Sequence, residues 1–212
     1  MSQAIKRGQF ITLEGIEGAG KSTVLPLIMQ ALQQLSIEVL VTREPGGTKI
    51  AEQIREVFLA PREEILDPIT ELLLVFAGRN QHVKRLIEPT LKSGTWVISD
   101  RFTDATYAYQ GGGRGLSVQK IASVEQLTLG DFHPDHTILL DLPVSIARER
   151  ILERKSLDRI EREDLVFFER IRSSYLACAA KFPKRYHIID ATQTVAKIHA
   201  EIIQIAQQWV GR

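Results

Sequence analysis

Eight consecutive residues, Gly15-Ile16-Glu17-Gly18-Ala19-Gly20-Lys21-Ser22, fit the pattern G-x-x-x-x-G-K-[ST]. Glycine at the fixed positions lets backbone N–H groups turn inward around phosphate oxygens. A helix starting at the lysine adds the partial positive charge of its N-terminus. Lys21 then reaches the β- and γ-phosphates of a nucleoside triphosphate, and the Ser22 hydroxyl holds Mg2+. Thr23 extends the phosphate-facing run. Glu17 fits less obviously, since a carboxylate beside phosphates is repulsive unless a cation sits next to it. It is either a solvated loop residue or the anchor for an arginine from elsewhere in the chain.

Other residues suited to anion chemistry are scattered. Arg43 ends one short apolar segment, and Asp100-Arg101 ends another. Two guanidiniums at strand ends can grip a monophosphate with paired hydrogen bonds. Taken singly, an arginine is often only a surface ion pair, and Arg55 is open to that reading. The stretch Val144–Asp164 has no glycine and is dense in both charges. It reads either as a solvated helix laced with ion pairs or as a lid that excludes water from a phosphoryl group. Within it Arg150 and Arg154 are four residues apart and share a helix face. The phosphate loop has no cation besides Lys21, so charge developing during transfer needs a second source, which these arginines can supply. The five histidines show no metal-ligand spacing, and His133 and His136 read as loop residues.

Positioning these groups requires alternating strands and helices. Strands are expected at 9–13, 39–42, 95–99, 137–140 and 186–189, as short apolar runs bounded by turn residues. Helices are expected at 21–35, 48–59, 69–92, 118–129, 144–155, 165–182 and 195–210. This order predicts an α/β fold with an open parallel sheet covered by helices on both faces. Ligands then bind beyond the carboxyl ends of the strands, where Arg43, Asp100, Asp141 and Asp190 fall. Pro26 lies inside the first helix, crowds the Ser22 carbonyl and predicts a kink.

The 212 residues suit one domain, with 44% hydrophobic and 25% charged residues. The formal net charge is +1, from 27 basic and 26 acidic residues. No bulk field draws the chain to nucleic acid or an anionic membrane, so an anion site has to be built locally. The single cysteine, Cys178, excludes an intrachain disulfide and reads as a small buried hydrophobe in a reducing compartment. Neither a signal-peptide core nor an apolar run of spanning length is present, so a cytoplasmic protein is expected.

Thr42-Arg43-Glu44-Pro45-Gly46-Gly47-Thr48, Asp100-Arg101-Phe102 and Gln110-Gly-Gly-Gly-Arg114, together with the phosphate loop, resemble the bacterial thymidylate kinases. The resemblance runs from the loop to Asp190-Ala191-Thr192. It implies a P-loop NTPase fold with a five-stranded parallel sheet and a short mobile lid at about 144–164. The whole chain, 1–212, would be one nucleoside monophosphate kinase domain, a homodimer moving the γ-phosphate of ATP to dTMP with Mg2+. Glu17 together with lid arginines looks like the subtype whose catalytic arginine comes from the lid, Arg150 or Arg154, the latter nearer the expected tip. By the same resemblance Arg101 holds the acceptor phosphate and Asp100 helps order the metal shell. Glu44 lies near the acceptor sugar and phosphate, and Arg55 faces the same pocket. Arg79 and Gln110 read the thymine edge, Thr106 contacts the base, and Tyr109 crowds a 2′-hydroxyl. The family's base-stacking ring falls at Val75, so either Val75 packs on the base or the helix presents Phe76. The competing functions are another nucleotide or nucleoside kinase on this fold, a regulatory nucleotide switch, or an ATP-binding subunit without turnover. The chain lacks the Asn-Lys-x-Asp block of guanine switches, and its acceptor-side arginines argue against the last two.

Overall fold

The computed structural model describes residues 6–61, 63–153 and 157–211. Five strands form one parallel sheet: β1 (Phe10–Glu14), β2 (Val39–Arg43), β3 (Trp96–Asp100), β4 (His136–Asp141) and β5 (Tyr186–Asp190), in the order β2-β3-β1-β4-β5. Every residue of β1 is buried, Thr12 and Glu14 included, as expected of a central strand covered on both sides. Successive side chains go to opposite faces. Ile11, Leu13 and Ile98 join one core beneath α1 (Lys21–Gln34), α8 (Leu165–Lys181) and α9 (Val195–Val210). Phe10 and Val97 join the other, beneath α3 (Pro68–His82), α4 (Glu88–Lys92) and α6 (Val118–Leu129). α2 (Lys49–Leu59) packs along α3. Helices thus cover both faces.

Register aligns the functional edge. Leu13 and Arg43 both pair with Asp100, and Asp141 pairs with Asp190, so the carboxyl ends of the strands form one row.

Three segments depart from the sequence reading. The helix expected over 69–92 is α3, a single π-helical turn Val83–Ile87, and α4. Pro89 accounts for the interruption, because it has no N–H for the Arg85 carbonyl and crowds it. Residues 103–113, given no helix in the sequence reading, form α5 (Thr103–Thr106) and a π-helical stretch Tyr107–Gly113. The helix expected over 144–155 is α7 (Val144–Leu152), and residues 154–156 lie outside the described segments. Across Pro26 the helical run of α1 is unbroken.

Candidate active site

β1 ends in the phosphate loop, and α1 begins at its lysine. Thr48, Asp67, Ser117, Asp164 and Thr194 cap α2, α3, α6, α8 and α9 with side-chain acceptors, but α1 follows Gly20 and has no side-chain cap. Its first N–H groups therefore remain available to an anion. Lys21 is buried, and its Nζ donates to the carbonyls of Gly15 (2.9 Å) and Ile16 (3.1 Å). An ammonium has a third N–H, which is left for a phosphate oxygen. Burial, and after it the charge of Arg101, pull the Lys21 pKa down to about 8. Two cations crowded in this way call for an anion between them.

Arg101 adopts φ 71° immediately after β3, a left-handed conformation that costs a non-glycine residue about 1–3 kcal/mol. Its surroundings hold it there. Its N–H donates to Leu13, its carbonyl accepts from Ser99 Oγ (2.7 Å), and the next N–H, Phe102, donates to Glu14 (2.7 Å). The turn brings the guanidinium back over the loop, where Nη2 donates to Glu17 (2.8 Å) and Tyr109 (2.9 Å). The Tyr109 hydroxyl donates to the other Glu17 oxygen. Glu17 therefore does hold an arginine, but that arginine is Arg101 rather than a lid residue. Arg150 donates instead to the Gly18 carbonyl (3.2 Å).

Behind the cleft Glu44 is buried and accepts from Arg79 Nε at 2.6 Å. Arg79 also donates to Thr106 Oγ1 (2.9 Å) and the Phe102 carbonyl (3.0 Å), and it lies over the rings of Phe76 and Phe102. Gln110 donates to buried Glu71 (2.8 Å), which also meets Arg159 at 2.7 Å and Arg114 at 3.4 Å.

These groups border one cleft of about 580 Å³, a size typical of a small-ligand site. Its wall takes in Glu17–Thr23, Glu44, Arg55, Val75, Arg79, Asp100, Arg101, Thr106, Tyr109, Gln110 and Arg150. Gly15 and Ile16 shape the loop but do not line this cleft. Arg43 does not reach it. Arg43 is the exposed last residue of edge strand β2, and it pairs with Glu52 at 3.0 Å. Phe76 lies under Arg79 in the core, so of the two candidates for packing on a base only Val75 faces the cleft. Arg154 lies outside the described residues. Asp141 is engaged by both nitrogens of an Arg172 fork.

Sequence reasoning missed Ala191, Gln193, Val195 and Ile198, which line the end of the cleft at the start of α9. It also missed Asp158 and Glu161, whose Asp-Arg-Ile-Glu run carried the signal.

Mg2+ can be tested against the donors present. Asp100 Oδ1 is buried without a hydrogen-bond partner, and the Ser22 residue lines the same cleft. Among the described residues no group of three His, Cys, Asp or Glu residues could hold a metal. One carboxylate and one hydroxyl, completed by phosphate and water oxygens, suit Mg2+ and do not suit an all-protein metal cage.

The family model described as Thymidylate kinase matches residues 13–202. A thymidylate kinase of Vesicomyosocius okutanii is 52% identical over 203 residues, covering 96% of this chain and 99% of the relative. One from Pseudomonas syringae pv. syringae is 54% identical over 193 residues, covering 91% and 92%. Among solved structures, thymidylate kinase from Ehrlichia chaffeensis superimposes with a TM-score of 0.75 at 33% identity, over 94% of this chain and 98% of that one.

Proposed function

The chain belongs to the thymidylate kinase family and is an ATP-dependent dTMP kinase, and from that premise we propose how its residues divide the work. The loop Gly15–Ser22 with Thr23 takes the ATP phosphates. Arg101 and Arg55 hold the acceptor phosphate, and Arg79, Thr106 and Gln110 read the thymine edge. Val75 packs on the base, and Tyr109 closes on the sugar. The observation that carries this division is one continuous cleft, with the phosphate-loop residues Glu17–Ser22 on one side and the Glu44–Arg79–Thr106 group on the other.

Phosphoryl transfer asks little covalent chemistry of a protein, and positioning with charge stabilisation does most of the work. Lys21 and Arg101 both line the cleft and lie near enough for the charge of Arg101 to lower the Lys21 pKa, so phosphate oxygens passing there would meet both cations. Arg101 is locked by Glu17 and Tyr109, so it needs little reorganisation. Ser22 and Asp100 would hold Mg2+, which would supply positive charge to offset that of the donor phosphates. The segment 144–164 acts as the lid. Arg150, already resting on Gly18, is placed to add charge from that side.

Two further readings complete the proposal. The enzyme works as a homodimer, supported by exposed Ile50 on α2, Leu73 on α3 and Leu127 on α6. A monomeric mass by sedimentation at micromolar concentration would refute this. Its location is the cytoplasm, where Cys178 stays reduced; among the described residues no helix is long and apolar enough to cross a membrane.

The test of acceptor recognition is ADP release in a coupled assay across dTMP, dUMP, UMP, CMP and AMP. dTMP should lead, and dUMP should lose the ~1–3 kcal/mol of one methyl contact. UMP should be poorer still. Equal kcat/KM for UMP and dTMP would exclude the arrangement.

A further inference from the structure

His82 is the last residue of α3 and has no exposed surface. It does not itself line the cleft, yet one of its nitrogens is bonded to the cleft residue Glu44 and the other to Thr42, two residues before Glu44. Nε2 lies 2.7 Å from Thr42 Oγ1, and Nδ1 lies 3.0 Å from Glu44 Oε1. The second Glu44 oxygen accepts from Arg79 Nε at 2.6 Å. Glu44 faces a guanidinium and can only accept, so His82 Nδ1 must carry the hydrogen between them. The bond between Nε2 and the Thr42 hydroxyl then holds the ring from the far side.

A second, independent feature belongs to the same arrangement. Gly47 approaches this pair so closely that a Cβ there would lie 2.3 Å from His82 Nε2 and 2.8 Å from Thr42 Oγ1. Any side chain at 47 would push the imidazole off Thr42. The second glycine of the Glu-Pro-Gly-Gly turn thus makes room for the Thr42–His82 contact.

We infer that His82 is a positioning residue for acceptor recognition: it fixes the Glu44 carboxylate, and through Glu44 it sets the plane of the Arg79 guanidinium that reads the acceptor base. The chemistry follows from counting donors. Arg79 spends Nε on Glu44 and one N–H of each terminal nitrogen on Thr106 and Phe102. Each terminal nitrogen keeps a second N–H, and only a fixed plane aims these at the cleft. Without His82 one Glu44 oxygen loses its donor, and the carboxylate can rotate and carry Arg79 with it.

The inference rests on the proposed role of Arg79 toward the acceptor, so Arg79→Ala is measured alongside. His82→Phe keeps a buried ring and removes both hydrogen bonds. It should raise KM for dTMP roughly ten-fold or more, the effect of losing a bond to a charged group, with kcat and the KM for ATP unmoved. His82→Asn, which can put an N–H near the position of Nδ1, should recover most of that loss. Thr42→Val, a lighter change, should raise KM for dTMP alone and keeps the idea testable if His82→Phe fails to fold. A folded His82→Phe with parental dTMP KM overturns the inference, as does a parallel loss in kcat and both KM values, which marks a merely structural residue. If Arg79→Ala also leaves the dTMP KM unmoved, it is the acceptor role of Arg79 that fails.

Discussion

Arg101 donates to Glu17 at 2.8 Å and so joins the end of β3 to the phosphate loop. The pair is about five-sixths buried on both sides, and the Tyr109 hydroxyl bridges it. A residue expected to sense the acceptor sugar is thereby tied to the residue expected to hold the acceptor phosphate.

That bridge separates the two roles of Tyr109. Tyr109→Phe keeps the ring and loses the hydroxyl, so Arg101 loosens while the wall against the sugar stays. We expect kcat to fall roughly ten-fold, as for one lost bond to a charged group, with the preference for dTMP over UMP retained. Tyr109→Ala should lose the preference as well. Steady-state kcat/KM for both nucleotides checks this, and an unchanged preference in Tyr109→Ala would remove the tyrosine from sugar selection.

Lys21→Ala should abolish transfer without unfolding the protein. The sign of its effect on stability follows from the ammonium. Its folded pKa, pulled down to about 8 by burial and then by Arg101, lies below the ordinary value of 10.5. The folded state is therefore penalised while the group is charged, and the penalty fades as pH rises through 8 toward 10.5. At pH 7 the ligand-free Lys21→Ala variant should melt no lower than the parent. Normal turnover in the purified, folded variant would overturn the loop assignment.

Glu14 makes a prediction of the same kind. Burial, then the nearby charge of Asp104, push its carboxyl up to about 8 despite bonds from Tyr175 and the Phe102 N–H. A raised carboxyl pKa means the folded state holds the extra proton, so its contribution is full below about 4.5 and is lost as pH rises through 8. The parent should lose stability between about pH 4.5 and 8, by at most about 1.4 kcal/mol per pH unit from this group, and level off above that. Glu14→Gln should flatten that slope. Parallel thermal melts across the window decide it, and identical slopes would place the titration elsewhere.

The fold was legible where pattern and packing agree. The five strands were found because each is a short, largely apolar and β-branched run bounded by turn residues, as a parallel sheet between helices requires. The helix over 103–113 was hidden by Gly111-Gly112-Gly113, which argues locally for a loop. Packing overrides propensity there. A Cβ at Gly112 would lie 2.1 Å from Ser174 Oγ, and one at Gly113 2.5 Å from the Phe167 ring, so the glycines let this segment press against α8. Arg43 and Arg101 show the same limit within the site. Both end strands and looked equivalent, but only the left-handed turn at Arg101 swings its side chain into the cleft, and no local sequence signal marks a non-glycine residue for that conformation. His82 and Glu71 were invisible because they act through Glu44 and Gln110 rather than at the ligand.

The last prediction concerns the lid, and the structure sharpens it. Glu17 is already occupied by Arg101, so no lid arginine is needed to neutralise it. Arg150 donates to the Gly18 carbonyl at 3.2 Å and lines the cleft, which places one lid cation on the phosphate loop itself. Arg154, four residues further along the sequence, lies outside the described residues. In the proposed division of roles Lys21 and Arg101 bracket the transferring phosphate from the loop and from β3, which leaves the lid side as a direction from which further charge can come. Arginines supplying such charge contribute ~10³–10⁵-fold to turnover. We therefore expect Arg150→Ala or Arg154→Ala to lose kcat by orders of magnitude with little change in dTMP KM, since the residues proposed to hold the base are Arg79, Thr106 and Gln110. Loss confined to Arg150→Ala would make its Gly18 contact a resting position for the catalytic arginine. Loss confined to Arg154→Ala would make Arg150 a prop for the loop. If both variants keep kcat within a few-fold of the parent, the lid only excludes water, and the transition-state charge is met from the rest of the cleft, with Lys21 and Arg101 foremost.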